Sequence, residues 1–379
     1  MHYQVFASES VCSGHPDKLC DAISDAVLDA CLAQDPSSRV ACEALATENR
    51  IVLAGEITSN AQVSYDQLVR HVVRELGYTI PNYGFHADQL EVQVHIHQQS
   101  PEIAVGVDHD GAGDQGMMYG YACTETPELM PMPITLAHRL AQQLDQQREQ
   151  GILPYLRPDG KTQVSVRYID SRPIGVDSVV LAAPHDQGVS LVQLKQDLYN
   201  LVVSPILSAY GWTISDDHVI VNGTGVWHHG GPATDTGLTG RKIIVDGYGG
   251  MARVGGGAFS GKDPTKVDRS GAYGARYVAK NIVAAGLAER CEVQVAYCIG
   301  RREPTTYDVE TFGTERIDHA DLRAYAHFLL TMEPREIIRT LNLQRPIYQQ
   351  TAAYGHFGKA SLPWEQVAQH AQPRVAATA

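Results

Sequence analysis

Nowhere in the 379 residues does an apolar run approach the roughly 18 residues of a membrane span. The start, Met1 through Glu9, has no basic stretch leading into an apolar one, so no secretory leader is expected. Cysteine is sparse and irregular, at positions 12, 20, 31, 42, 123, 291 and 298, with no C-x-x-C pair. An odd number without metal-ligand spacing argues against a disulfide framework or a zinc site, and for reduced thiols in the cytoplasm. Positive charge is in deficit. A formal net charge of −13 leaves no basic face for nucleic acid or an anionic membrane, so neither is an expected partner. With 44% hydrophobic and 19% charged residues the chain is globular, and its length suggests about two or three domains.

Lysine is the rarest of the charged residues, with eight copies at 18, 161, 195, 242, 262, 266, 280 and 359. Five of them (18, 161, 242, 262 and 266) lie in motif-like segments with Gly, Asp or Arg close by. Compact ammonium groups kept in this way suit a polyphosphate ligand. The densest such segment runs from Gly255 to Arg269 and opens on Gly255-Gly256-Gly257. Glycines let backbone N–H groups approach a ligand closely, because no Cβ stands in the way. Gly256 to Lys262 reads G-x-x-x-x-G-K, but Asp263 stands where a P-loop needs Ser or Thr for Mg²⁺. A phosphate site of another kind is expected.

Three segments share one pattern of strand followed by amphipathic helix. The strands Ile51–Ile57, Val179–Ala183 and Tyr307–Phe312 precede helices opening at Ser64, Ser190 and Asp318, spaced 126 and 128 residues apart. Ser64 with Gln67, and Ser190 with Gln193, fit the capping box. The expected fold is α+β, made of three related units, each a mostly antiparallel sheet covered by helices. Expected boundaries are 1–99, a short loop at 100–110, 111–229 and 230–379, with strands free to interleave between units.

A further helix is expected from Pro16, with Leu19, Ile23, Val27 and Cys31 on its apolar face. Asp21, Asp25 and Asp29 repeat at four-residue spacing and read as a solvated face rather than a metal site. Lys242 to Asp246 reads as a strand leading to the glycine loop. Other candidate chemistry lies in Gly14-His15-Pro16-Asp17-Lys18 at a helix start, in the turn Gly111–Gly116 around Asp114, and in Asp159-Gly160-Lys161. Asp235 and Arg241-Lys242 add charges ahead of the glycine loop. Such cations would surround a triphosphate while carboxylates position Mg²⁺. No Ser-His-Asp or Cys-His arrangement is visible, so direct transfer is favoured over a covalent intermediate.

These motifs resemble the methionine adenosyltransferase (S-adenosylmethionine synthetase) family. The likeness runs from Glu9-Ser10 through Thr351–Gly358, with Gly111–Gly116 and Gly255–Asp263 as its two hallmark motifs. Gly14–Lys18 and Gly237–Asp246 strengthen it. It implies that methionine sulfur attacks C5′ of ATP to give S-adenosylmethionine (AdoMet), and that the bound triphosphate is then hydrolysed to pyrophosphate and phosphate. It also implies three pseudo-symmetric units, a homodimer with shared active sites, and in some members a dimer of dimers.

By position, the resemblance implies that His15, Lys161, Arg241, Lys242, Lys262 and Lys266 stabilise the leaving triphosphate. Asp159, Trp227, Asp235 and the backbone of Ala258 would complete the ATP site. Glu56, Gln99, Asp235 and Lys262 would face methionine, and Asp114 is an acidic active-site position. Asp17 and Asp268 would serve two Mg²⁺ ions per site, and Glu43 a K⁺ ion. Two departures stand out. The lid segment Ser100–Asp110 is shorter than in the common bacterial form, which bears on water exclusion and product release. Val226-Trp227 replaces the family's usual Arg-Phe near the adenine, and Trp227 can still stack on a base. They leave two alternatives: a paralogue with an altered substrate or uncoupled triphosphate hydrolysis, and a non-catalytic nucleotide-binding subunit.

Overall fold

The structure, a computed structural model, describes residues 3–98 and 111–368. Gln99 and the segment read as a lid, Ser100–Asp110, lie outside the described residues. Eleven strands among those described form three sheets. The first holds β1 (Gln4–Val11), β6 (Lys161–Ile169), β7 (Arg172–Ala182) and β8 (Val219–Val221), in that order. A second runs β4 (Glu91–His97), β3 (Arg50–Thr58), β2 (Arg39–Thr47), β9 (Gly237–Leu238). The third runs β11 (Thr306–Glu310), β10 (Arg290–Tyr297), β5 (Gly116–Cys123). Pairing is antiparallel except at β3–β4 and β7–β8. Period-2 patterning sets the faces. On β2, Val40, Cys42, Ala44 and Ala46 point into the core, while Ala41, Glu43 and Leu45 face outward. The β6–β7 hairpin turns on Asp170 and Ser171, both at positive φ, as a tight two-residue loop demands.

Helices α1 (Pro16–Gln34), α2 (Tyr65–Glu75), α3 (Met132–Glu149), α4 (Leu191–Leu198) and α5 (Ser204–Ser208) cover the first two sheets. The short α6 (Ile243–Asp246) leads toward the glycine loop, and α7 (Val267–Ala284) packs on β5 and β10. Then follow α8 (His319–Leu329) and α9 (Pro334–Thr340). The three helix starts read from the sequence are present, but their caps differ. Ser190 accepts from Gln193 N at 3.2 Å while the Gln193 amide turns to Asp197, and Ser64 makes no side-chain cap bond.

Two expectations are corrected. Lys242–Asp246 is not a strand. Its β-branched run folds as one helical turn, closed by Asp246 N donating to Lys242 O at 2.8 Å, with the Asp246 carboxylate tied to Lys18. The carboxylate row of α1 is not a solvated face either. Fifteen of the nineteen residues of α1 are buried, and Asp21 and Asp25 are fully so. A helix enclosed on all sides must satisfy its polar groups internally, and backbone N–H groups from far along the chain do this. Asp21 accepts from Gly240 N (2.8 Å), Asp25 from Gly261 N (2.8 Å), and Asp29 from Tyr348 N and Gln349 N (3.0 and 2.8 Å).

Candidate active site

At the start of α1, the ring of His15 serves as the helix cap: its Nδ1 accepts from Asp17 N at 3.1 Å. The proton of a neutral ring therefore sits on Nε2, a buried atom with no partner among the described residues. Burial first, then the Lys242 charge, lower the ring's pKa to about 3, so His15 presents an uncharged N–H donor. Asp17 lies beside it, meeting Lys242 Nζ with one oxygen and accepting from Leu238 N at 3.0 Å with the other. Burial alone would raise the Asp17 pKa. The bonds from Lys242 and Leu238 outweigh it and hold the carboxyl below its ordinary range. Lys161, the exposed first residue of β6, adds to the positive field felt at His15.

Around these, Asp159 ties Gly160 N (2.7 Å) to Gly231 N (2.8 Å), and burial pushes it up to about 6 despite both bonds. Trp227 and this carboxylate both flank Gly230, where an added Cβ would lie 3.1 Å from each. Asp235 stands exposed on the same loop, and Arg241 is exposed beside Lys242. Lys18 does not join the cation set. It is fully buried between Asp21 (2.8 Å) and Asp246, a structural ammonium shared by two carboxylates.

A second group forms around the glycine loop. Lys262 Nζ meets Asp268 at 2.6 Å, and Lys266 Nζ meets Asp263. Asp263, at the position that sets this loop apart from a P-loop, is a buried turn anchor. It accepts from Val40 N, Thr265 N and Thr265 Oγ1 at 2.7, 2.9 and 2.6 Å. Gly257 leans on Asp268 so closely that a Cβ would lie 2.0 Å from its Cγ, and a Cβ on Gly116 would lie 3.6 Å from its Oδ1. Asp114, two residues earlier, is exposed and accepts locally from Gln115 N at 2.7 Å. Ala258 lies against Gly240, two residues before Lys242, where an added Cβ would be 2.5 Å from its own. An apolar-walled cavity with Met117, Tyr119, Ile243, Phe259 and Asp268 in its lining opens beneath the loop.

Glu43 and Glu56 share the outward face of the second sheet. Glu43 is exposed, and Glu56 pairs with His97 at 3.2 Å. Ala41, the cross-strand partner of Glu56, bridges to Lys262. Among the described residues, no three His, Cys, Asp or Glu side chains form a metal cage, and no helix is long and apolar enough to cross a membrane. Reading the sequence singled out the lysines but missed the residues that seat them: Asp21, Asp25, Asp246 and Arg269. The one available signal was the four-residue spacing that continues from Asp17 along α1.

Models of the N-terminal, central and C-terminal domains of S-adenosylmethionine synthetase match residues 3–101, 109–227 and 229–366. The chain belongs to the S-adenosylmethionine synthetase family. It is thereby an enzyme, a methionine adenosyltransferase by class. Its three α+β units agree with the three domains of that family. It is 53% identical to the S-adenosylmethionine synthase of Desulforudis audaxviator (strain MP104C), with both chains covered in full. The S-adenosylmethionine synthase of Treponema denticola is 51% identical over 95% of each chain. That of Clostridium tetani is 50% identical over 96% of this chain and 97% of its own.

Proposed function

We propose that the chain makes AdoMet from ATP and L-methionine by attack of the methionine sulfur on C5′ of ATP, and then hydrolyses the released triphosphate to pyrophosphate and phosphate. One observation carries the reading: the buried, unpartnered Nε2–H of a neutral His15, set among Asp17, Lys161 and Lys242. An uncharged donor with no acceptor among the described residues, next to ammonium groups, suits an oxygen that gains negative charge as it leaves. A thioether is already nucleophilic, so no general base is needed. The carbon–oxygen bond at C5′ breaks as the carbon–sulfur bond forms, the sulfur becomes a sulfonium, and the electron pair leaves on the triphosphate.

In this reading His15, Lys161, Arg241 and Lys242 take one side of the triphosphate, and Lys262 and Lys266 the other. Trp227 stacks on adenine, the Ala258 backbone and Asp159 flank the nucleotide, and Asp235, Glu56 and Gln99 face methionine. Asp114 belongs to the acidic rim. Asp17 and Asp268 would hold two Mg²⁺ ions together with phosphate oxygens. Mg²⁺ is ordinarily bound by one or two carboxylates plus phosphates rather than by a protein cage, and the Asp268 carboxylate lies in a cradle that a Cβ on Gly257 would fill. Bound there, the ions neutralise triphosphate charge. Glu43 would serve a K⁺ ion. Membership of the family supports a homodimer in which the first group of one protomer faces the second group of its partner.

Product analysis with ATP, methionine, Mg²⁺ and K⁺ tests the reading. AdoMet with matching pyrophosphate and phosphate is expected. Accumulating triphosphate would leave adenosyl transfer standing but remove the coupled hydrolysis, and absence of AdoMet would remove both. Lys262→Met should lower turnover on the order of 100-fold or more. Near-normal turnover in the folded variant would take Lys262 out of the site.

A further inference from the structure

The loops that carry Lys242 and Lys262 come from stretches of chain with no direct hold on each other through regular structure. Both are gripped by α1, one turn apart, and each grip has two jaws. Asp21 accepts from Gly240 N at 2.8 Å and from Lys18 Nζ at 2.8 Å. Lys18 in turn donates to the carboxylate of Asp246, the far end of the same short segment. Arg241 and Lys242 lie between those two fixed points. Asp25 accepts from Gly261 N at 2.8 Å and holds Arg269 through both carboxylate oxygens, at 2.6 and 2.9 Å. Arg269 then donates to the carbonyl of Lys262 at 3.1 Å. The residue pair Gly261-Lys262 is thus held at its leading N–H by the acid and at its trailing C=O by the base. All four clamping side chains are fully buried, so water does not compete for these bonds.

We propose that Asp21 and Asp25 are positioning residues for the triphosphate site: through the Lys18 and Arg269 clamps, α1 fixes the Lys242 loop and the Lys262 loop, each in its own half of a shared site. The inference rests on the reading of those lysines as triphosphate ligands. Gly261 shows how close the fit is. Its φ of +80° suits glycine, and a Cβ there would lie 1.9 Å from the Cys42 carbonyl oxygen. The loop is seated with no room to shift toward β2.

The test compares Asp21→Asn and Asp25→Asn with Glu365→Gln. The last breaks an equally buried arginine–carboxylate pair, Arg276 with Glu365 at 2.8 Å, that grips neither lysine loop. Three quantities are read for each variant: the thermal midpoint, kcat and KM for AdoMet formation, and the affinity for inorganic tripolyphosphate with Mg²⁺. Asp21→Asn and Asp25→Asn should each lower kcat on the order of 100-fold and weaken tripolyphosphate about tenfold, with KM for methionine within about threefold. Glu365→Gln should lower the thermal midpoint comparably yet keep kcat and tripolyphosphate affinity within about twofold. Losses that track the thermal midpoint in all three variants, or normal kcat and affinity in folded Asp21→Asn and Asp25→Asn, would overturn the proposal. Arg269→Lys, which keeps the charge but loses the fork, stands in if an aspartate variant does not fold. Should the wild type bind tripolyphosphate but make no AdoMet, the reaction assignment falls while the affinity series still decides the positioning role.

Discussion

His138 shows how a single side chain can set the response to acid. Its Nδ1 lies 2.8 Å from Ser10 Oγ, and burial, reinforced by Lys359 and Lys18, lowers its pKa to about 3. In the unfolded chain the same imidazole takes up its proton near 6.5. Between those values the unfolded state binds the extra proton, so stability is lost as pH falls through that window. His138→Asn keeps an acceptor near the Nδ1 position and removes the titration. Urea unfolding measured from pH 6 to 4 should then fall less steeply than wild type, by about 1.4 kcal/mol per pH unit. Parallel slopes would contradict the assignment. At this scale the sequence was a good guide to residue type and a poor one to role. His15, Asp17, Lys242, Lys262 and Asp268 were visible as candidates from their motifs. Lys18 looked the same in the sequence and turned out to be a buried strut, because Asp21 and Asp246 enclose it.

Elements were legible where one face meets water and the other the core. The strands and helices around Ser64, Ser190 and Asp318 have that contrast, and they lie where the periodicity puts them. It fails in two places. Ile243-Ile244-Val245 has strand-like composition, yet no strand among the described residues pairs with it and Lys18 pulls Asp246 into a helical turn. In α1 both faces are buried, so an aspartate off the apolar stripe signalled solvent when its partners were backbone donors some 200 to 320 residues away. Nothing local in a sequence reports such partners. The glycine loop carries the prediction proper to this scale. Gly257→Ala would drive a methyl into Asp268 and push that carboxylate off Lys262. Turnover at saturating substrates should drop about tenfold or more, with little change in thermal midpoint, since Gly257 does not sit at positive φ. Unchanged turnover would mean that the Lys262–Asp268 contact is incidental.

Across the whole molecule, each sheet is assembled from distant parts of the chain. β1 pairs with β6, β5 with β10, and β2 takes β9 on its edge. The matched domains are therefore not self-sufficient bodies. A fragment ending at residue 229 would leave β5 without its neighbour and uncover the α1 carboxylates that Gly240, Gly261 and Arg269 satisfy. It should show no cooperative urea transition, whereas the full chain should unfold with coincident transitions by fluorescence and circular dichroism. A cooperative fragment would contradict this.

The same interleaving constrains how the protein can be made. On the ribosome, β1 emerges first but has no partner until residue 169 has been delivered, and the edge of β2 stays open until residue 238. Sequential completion of one unit after another is closed to this chain. Its early strands must wait with unpaired edges, exposed to association with other chains, so slower elongation over the first half would lengthen the interval of greatest risk rather than help the product fold.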